Sequence, residues 1–508
     1  MPLQAVFYYL SFVYVVYMKF FCTTSLVFCA LLLSGLSACA KKSNVPVISS
    51  LESLPGGTGS TDYLPVASFE KPVKNLPVDL RADFYAGKAL ANQPWIMAPA
   101  TTNARDGLGP LFNARSCFAC HKNGGKSKMP SDGGEQLFGP LVRISLPGFD
   151  SVNGVVFDPV YGDQLQTQSI AFSHLMNIPL EKRTKKKEVS PEAYVYVDWQ
   201  VNEITYPDGD VVKLHYPQLR IENLAYGELA ENSQVTVRNA PSLAGMGLLE
   251  LIDQTDIDAL VDVDDVNKDG ISGRLNYVWD RERNKTVAGR FGLKANRHDL
   301  RDITAAAFVN DIGITSALYP MDTCSKQQVL CRHSPNGNDQ EGVELPESLL
   351  QLTTQFVRNI GVPRRRDEKT VEVKRGRNIF YQTGCQGCHT PSFTTQQWTD
   401  TGNKISQHLY GQTIWPYSDL LLHDMGEGLS GKRTDFLATE REWRTPPLWG
   451  VGLNSKVNGS RNLLHDGRAT SIEEAILWHG GEAENTKNTF MFLPKTQRDA
   501  LLAFVESL

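Results

Sequence analysis

The chain has 508 residues, 41% of them hydrophobic, with 51 Lys and Arg against 56 Asp and Glu and a formal net charge of −5. Its length exceeds one ordinary hydrophobic core, so two or three domains are expected. The near balance of charge and the apolar content exclude a basic nucleic-acid-binding protein and a disordered chain.

Residues 3–38 are almost wholly apolar, with Lys19 the only charge. About 20 apolar residues would suffice for one transmembrane helix, but a signal peptide fits better. From Met18, the expected true start, a short positive head leads into an apolar core and then small residues before Cys39. The stretch "LSAC", 36–39, resembles a bacterial lipobox, in which Cys39 becomes the lipidated N-terminus. Residues 39–76 are rich in Ser, Gly and Pro and are expected to be a flexible tether. The mature body is then expected on the periplasmic side of a bacterial envelope, lipid-anchored, at the outer membrane for want of an Asp after Cys39. The basic run "KRTKKK", 182–187, reads as a solvated loop.

Cys22 and Cys29 leave with the signal peptide, which leaves six cysteines besides Cys39. Cys324 and Cys331, in a polar loop, are expected to form a local disulfide outside the cytoplasm, two free thiols being the alternative. The other four stand in "SCFACHK", 116–122, and "GCQGCHT", 384–390. Cys-x-x-Cys-His is the attachment pattern of a c-type haem: two thiols add to the porphyrin vinyl groups and the adjacent histidine binds the iron. A thioredoxin-like pair needs a βαβ context and no following histidine. A four-cysteine zinc site would need two halves that are remote here. Cys117, Cys120, Cys385 and Cys388 are therefore expected to carry two haems, with His121 and His389 as proximal ligands.

The two sites align without a gap, "LFNARSCFACH" (111–121) on "IFYQTGCQGCH" (379–389), and upstream "FYAGKAL" (84–90) echoes "VKRGRNIF" (373–380). One helical unit used twice is the reading. Between them "YVYVDWQVNEITYPDGDVVKLHY" alternates around a turn and predicts a β-hairpin. In "VDDVNKDGISGR", 263–274, Asp265, Asn267 and Asp269 before Gly270 have the spacing of a calcium loop, although Asn276 stands where an EF-hand has its last acidic ligand. A polar Asp/Gly turn is the plainer alternative. Near the end, "TSIEEAILWHGGEA" predicts a helix capped by Ser471 and Glu474 and stopped by Gly480 and Gly481. Ile472, Ala475, Ile476 and His479 share one of its faces, which makes His479 a candidate distal ligand for the second haem. The last segment predicts an amphipathic helix with Leu501, Leu502, Val505 and Leu508 inward.

The stretches "GDQLQTQSI" (162–170), "PYSDLLLHDMGEGL" (416–429), "EWRTPPLWGVGL" (442–453) and "LLHDGRATSIEEAILWHGGEA" (463–483) resemble the di-haem oxidoreductase family of peroxidase-type proteins, formerly grouped as thiol oxidoreductases. The resemblance runs from about residue 80 to 508. The C-terminal part is more distantly similar to bacterial di-haem cytochrome c peroxidases and to the di-haem enzyme that matures tryptophan tryptophylquinone, which carry Met and Tyr where His479 stands. That departure implies a bis-histidine, low-spin second haem. The resemblance also implies His465 as a hydrogen-bonding group beside the second haem, with His423 and Met425 as unassigned ligand types. His174, His215, His298 and His333 are expected to be surface or structural residues, leaving the first iron open. Glu250 is the candidate proton-transfer carboxylate there, and Arg290 a candidate to stabilise a propionate or bound peroxide. The fold implied is mainly α, with two cytochrome c-like haem domains and a mixed α/β insertion: a signal peptide at 1–38, the tether at 39–76, the first domain begun at 77–135 and completed with the insertion at 136–360, and the second at 361–508. The function implied takes electrons from a small redox protein at the second haem and spends them on peroxide, or on another substrate, at the first. The alternative is an envelope electron carrier without substrate chemistry.

Overall fold

The computed structural model describes residues 45–62, 64–102, 105–170, 189–396 and 407–508. The expected signal segment, Cys22, Cys29, Cys39, the run 182–187 and His174 lie outside these residues. The principal helices are α1 (Arg81–Asn92), α2 (Cys117–Cys120), α3 (Met246–Glu250), α4 (Leu300–Ala307), α5 (Glu347–Arg358), α6 (Val371–Gln382), α7 (Ile472–Leu477), α8 (Glu484–Met491) and α9 (Lys495–Ser507). The strands that matter for the site are β1 (Leu141–Ser145), β2 (Tyr194–Thr205), β3 (Val211–Glu222), β4 (Gln234–Arg238), β5 (Leu422–Asp424) and β6 (Glu442–Arg444). They pair as β1 with β4, β2 with β3 and β5 with β6, each antiparallel and two-stranded. The chain is thus α-rich, with small sheets concentrated in the insertion between the two motifs.

The echo ahead of the two motifs has a physical cause. Helix α1 crosses α5 and helix α6 crosses α9, and each crossing has a glycine at its centre. A Cβ on Gly87 would lie 2.1 Å from the Leu352 carbonyl oxygen, and one on Gly376 would lie 1.8 Å from that of Ala500. The aromatic partners repeat as well: Phe84 meets Phe356 at 5.2 Å between ring centroids, and Phe380 meets Phe504 at 5.3 Å. The same helix pair is therefore built twice. The first is completed only by α5, beyond the insertion.

Local signals set the helix starts. Thr370 Oγ1 accepts from Val373 N at 3.3 Å ahead of α6, and Asp299 accepts from Asp302 N at 2.7 Å ahead of α4. Ser471 Oγ caps α7 through Glu474 N at 3.0 Å, but the Glu474 carboxylate turns to Thr470 instead of Ser471, so the capping box is only half closed. Leu501, Val505 and Leu508 of the last helix are buried as expected; Leu502 is half-buried and Phe504 takes the interior place. The predicted hairpin is β2–β3, turning through Pro207–Asp210. Its tip docks on the C-terminal helices, with Arg498 bonded to Asp208 at 2.8 Å and the Tyr206 hydroxyl donating to Glu473 at 2.9 Å.

The tether expectation is corrected for residues 48–76, which belong with the rest of the chain to one compact unit, 48–508. Phe69 and Val73 are buried in the main core, and Val73 N donates to the Asn359 carbonyl at 2.9 Å. The Ser/Gly/Pro composition suggested a linker, but apolar residues spaced between those polar ones anchor the segment. Cys324 and Cys331 form a disulfide with Cα atoms 5.7 Å apart. Among the described residues no helix is long and apolar enough to cross a membrane.

Gly376→Ala is expected to force α6 and α9 apart and destabilise the fold by about 3 kcal/mol, at the upper end for overpacking. Guanidinium unfolding followed by circular dichroism would read it as a lower midpoint, and an unchanged midpoint would mean the crossing is not tight.

Candidate active site

Both Cys-x-x-Cys-His motifs open into one cavity of about 480 Å³. At the first, α2 carries the cysteines and His121 follows, its N–H bonded to the Cys117 carbonyl at 2.8 Å. At the second, Gly384 takes φ +92°, a left-handed conformation natural to glycine, and starts a short turn that ends with His389 N on the Cys385 carbonyl at 3.0 Å.

The imidazoles share one device. His121 Nδ1 lies 2.7 Å from the Pro241 carbonyl, His389 Nδ1 2.9 Å from that of Tyr417, and His479 Nδ1 2.7 Å from that of Ala475. A neutral ring that donates from Nδ1 keeps its lone pair on Nε2, the form that binds a metal. Burial pulls all three below the usual histidine range, His389 to about 4, so they are neutral at pH 7. His479 is close enough to His389 to depress it further. The four motif thiols are unpaired, and burial raises each of them, Cys117 to about 12 and Cys385 to about 11.

The rest of the wall is mostly apolar with a cationic side. Lys126, Arg143, Arg238, Arg297 and Arg444 all line the cavity. Arg238 is paired with Asp435 at 2.7 Å, yet its Nε has no hydrogen-bond partner among the described residues. Asp435 also takes Arg433 at 3.0 Å, and these guanidiniums hold its carboxyl well below the usual range despite burial. The donor set fits two haems: the motif thiols and neutral imidazoles line one cavity, and Arg238 keeps a guanidinium Nε without a partner among the described residues, free for a propionate.

Two expected catalytic residues are elsewhere. Glu250 is buried off the cavity wall, where its carboxylate binds Arg358 Nε at 2.6 Å and accepts from Leu300 N at 3.1 Å. It caps α4 and pairs with α5, a structural role. Arg290 donates to the carbonyls of Leu249, Glu250 and Ile252 at 3.1, 2.7 and 2.8 Å, so it stitches the end of α3 and does not reach the cavity.

The remaining candidates divide. His423 lines the cavity but is locked between Asp419 at 2.8 Å and Glu482 at 2.7 Å, and these bonds, with Cys388 nearby, raise it well above the usual range although burial opposes them. That ring is an imidazolium and no iron ligand. Its grouping with Asp419 and Cys388 has the size of a metal cluster, but it uses a motif thiol. Met425 lines the cavity. His465 also lines it, stacked on Trp443 at 3.7 Å, and its carbonyl accepts from Asn239 N at 2.7 Å. Asn239 stands two residues before Pro241, so His465 is tied to the segment that holds His121. Away from the cavity, His215 pairs with Glu474 at 3.0 Å, His298 Nδ1 lies 3.0 Å from the Ala288 carbonyl and His333 Nδ1 2.7 Å from that of Val329. In the expected calcium loop, Asp265 accepts from Asp269 N at 3.0 Å and Gly270 N at 3.2 Å, and Asn267 accepts from Asp269 N at 2.8 Å. Ile271, next along, packs on Gly387 of the second motif.

Asp311 was missed. It lines the cavity from a π-helical turn, Phe308–Ile312, that continues α4. Such turns are rare and frequent at functional sites. Gln164 Nε2 donates to its Oδ1 at 2.9 Å, and burial raises its carboxyl to about 6. Its backbone carbonyl accepts from Asn113 N at 2.8 Å and Ala114 N at 3.0 Å, just ahead of the first motif. "FVNDIG" in sequence gives no sign of this; the register slip belongs to the backbone.

No match is found among curated proteins. A solved structure, the hydrazine synthase of Kuenenia stuttgartiensis pressurised with xenon, aligns over 91% of this chain and 99% of that chain, at 13% identity and a TM-score of 0.29, a likeness too remote to define the fold. Residues 56–508 match the family described as "Di-haem oxidoreductase, putative peroxidase", which takes in both motifs, both helix crossings and the whole cavity. The chain belongs to the di-haem oxidoreductase family.

Proposed function

We propose that this chain is a di-haem c-type cytochrome of the peroxidase kind, which accepts electrons at the second motif and uses them at the first. What supports this reading is an asymmetry on one cavity wall: a second neutral ring, His479, lies near His389, whereas Lys126 lies near His121 and Asp311 near Cys117 and Cys120. Covalent attachment through Cys117, Cys120, Cys385 and Cys388 would supply one-electron storage at one iron and an open coordination site at the other. His389 and His479 would hold the second haem's iron, each ring fixed from behind by a main-chain carbonyl. Asp311, in its ionised form, takes a proton at its carboxylate from an acidic reactant, and the cations beside it favour negative charge there. The apolar wall keeps bulk water away.

A second reading has its own support. His465 is a buried ring on the wall beside the 238–241 segment, and burial lowers it to about 3. As a second axial ligand at the first motif it would close both irons and make the protein a carrier.

We further propose that Cys39 anchors the body by lipid to the periplasmic side of the envelope, that a small redox protein is the donor, and that Asp265, Asn267 and Asp269 take calcium beside the second motif.

Electron paramagnetic resonance of the half-reduced protein is the deciding measurement. A high-spin signal lost on adding peroxide is the expected result; two low-spin centres, indifferent to peroxide, would leave the carrier. His479→Ala is expected to convert the low-spin signal of the second site to high spin. Asp311 ionises as pH rises through about 6, so the peroxide reaction should speed up over that interval. Asp311→Asn should slow the reaction about 100-fold and flatten that limb, as measured by stopped-flow absorbance.

A further inference from the structure

Tyr417 does two things at once. Its carbonyl holds His389 Nδ1 at 2.9 Å, and its hydroxyl donates to Glu52. Glu52 Oε1 also accepts from Arg365 at 2.5 Å, and Glu52 Oε2 accepts from Arg377 Nε at 2.9 Å. Glu52 is 1% exposed, Arg377 2% and Tyr417 0%, so water screens these charges little. Aromatic rings complete the surroundings, with Phe504 under Arg365 at 5.1 Å and Tyr381 under Arg377 at 4.8 Å. Phe380 lies 5.6 Å from the Tyr417 ring and is itself part of the cavity wall, so the cluster stands one aromatic layer behind the second motif.

The backbone adds a second observation. Tyr417 has φ +52°, a left-handed conformation uncommon for a tyrosine. It persists because the residue is held at both ends. One carboxylate thus restrains the residue that aims the ligand and offsets two buried guanidiniums. That carboxylate comes from the far N-terminal end of the described chain, more than three hundred residues away in sequence.

We propose that Glu52 is a positioning residue for the second haem, acting through Tyr417 on His389 and setting the electrostatic field behind that ligand. This rests on the reading of His389 as an axial ligand. With Glu52 in place, the Tyr417 carbonyl keeps its grip on Nδ1–H and makes the ring a stronger donor, which favours the oxidised iron. Without it, the loss of one negative charge beside Arg365 and Arg377 and a loosened carbonyl both favour the reduced iron.

The test is a spectroelectrochemical titration of the full-length, haem-loaded protein, with electron paramagnetic resonance of the second site. Glu52→Gln should raise the midpoint of the low-spin haem and leave the other unmoved. Arg365→Gln should lower it, and the double variant should return toward the wild-type value. Glu52→Gln with an unchanged midpoint and unchanged g-values overturns the proposal. Should Glu52→Gln not accumulate, Arg365→Gln decides alone: a lowered midpoint supports the role and an unmoved one removes it. A wild-type protein without a bis-histidine low-spin signal would instead defeat the reading of His389 and His479, before any variant is compared.

Discussion

A hydrogen bond to one imidazole nitrogen fixes the ring and leaves the other nitrogen free to meet a metal, and in three cavity histidines that bond runs to a main-chain carbonyl. His121 uses Pro241, His389 uses Tyr417 and His479 uses Ala475. Those carbonyls come from the insertion, from the loop after the second motif and from α7. The requirement therefore draws distant parts of the chain onto one cavity. The β1–β4 pair exists where it does because β4 runs directly into Arg238–Pro241, which supplies both a cation to the wall and the acceptor for His121. Likewise β2–β3 braces α7, since the His215 amide and ring both bond to Glu474 at 2.6 and 3.0 Å.

The buried charges follow the same logic. Burying an ion pair gains little stability, because desolvation opposes the attraction. This chain nevertheless buries Arg238 and Arg433 with Asp435, and Arg468 with Asp466. Lys294 donates to the carbonyls of Thr439 and Glu442 at 2.6 Å each and lies 4.0 Å above the Trp443 ring. On the cavity wall itself the cationic side chains are Lys126, Arg143, Arg238, Arg297 and Arg444, a lining that suits anionic groups.

Much of this was legible in the sequence. The paired motifs, the hairpin, the α7 cap and the local disulfide all follow from short-range patterns, and short-range rules decide them. The duplicated helix crossing was visible only as an echo, because its partners Leu352 and Ala500 lie outside the repeated letters. Glu250 and Arg290 misled because a buried charge in an apolar run looks the same whether it caps a helix or faces a substrate. Asp311 was invisible because a π-turn is a backbone event without a residue signature. The segment 48–76 misled through its composition: a few core-facing residues such as Phe69 outweigh many small polar ones.

The tight crossings also bear on how such a protein must be assembled. The four motif thiols face inward, and burial in the closed fold holds them far from their reactive, ionised form. The thioether chemistry proposed for them therefore belongs to the open chain, before α1 seats on α5 and α6 on α9. The second pair closes over the stretch 383–494, the first over the longer stretch 93–346. The first must wait for the entire insertion to be made, and long-range closure of that kind is slow. The proposed attachment at the first motif thus has a longer window before closure than that at the second. The glycines that let the helices meet are, in this sense, a latch that shuts last.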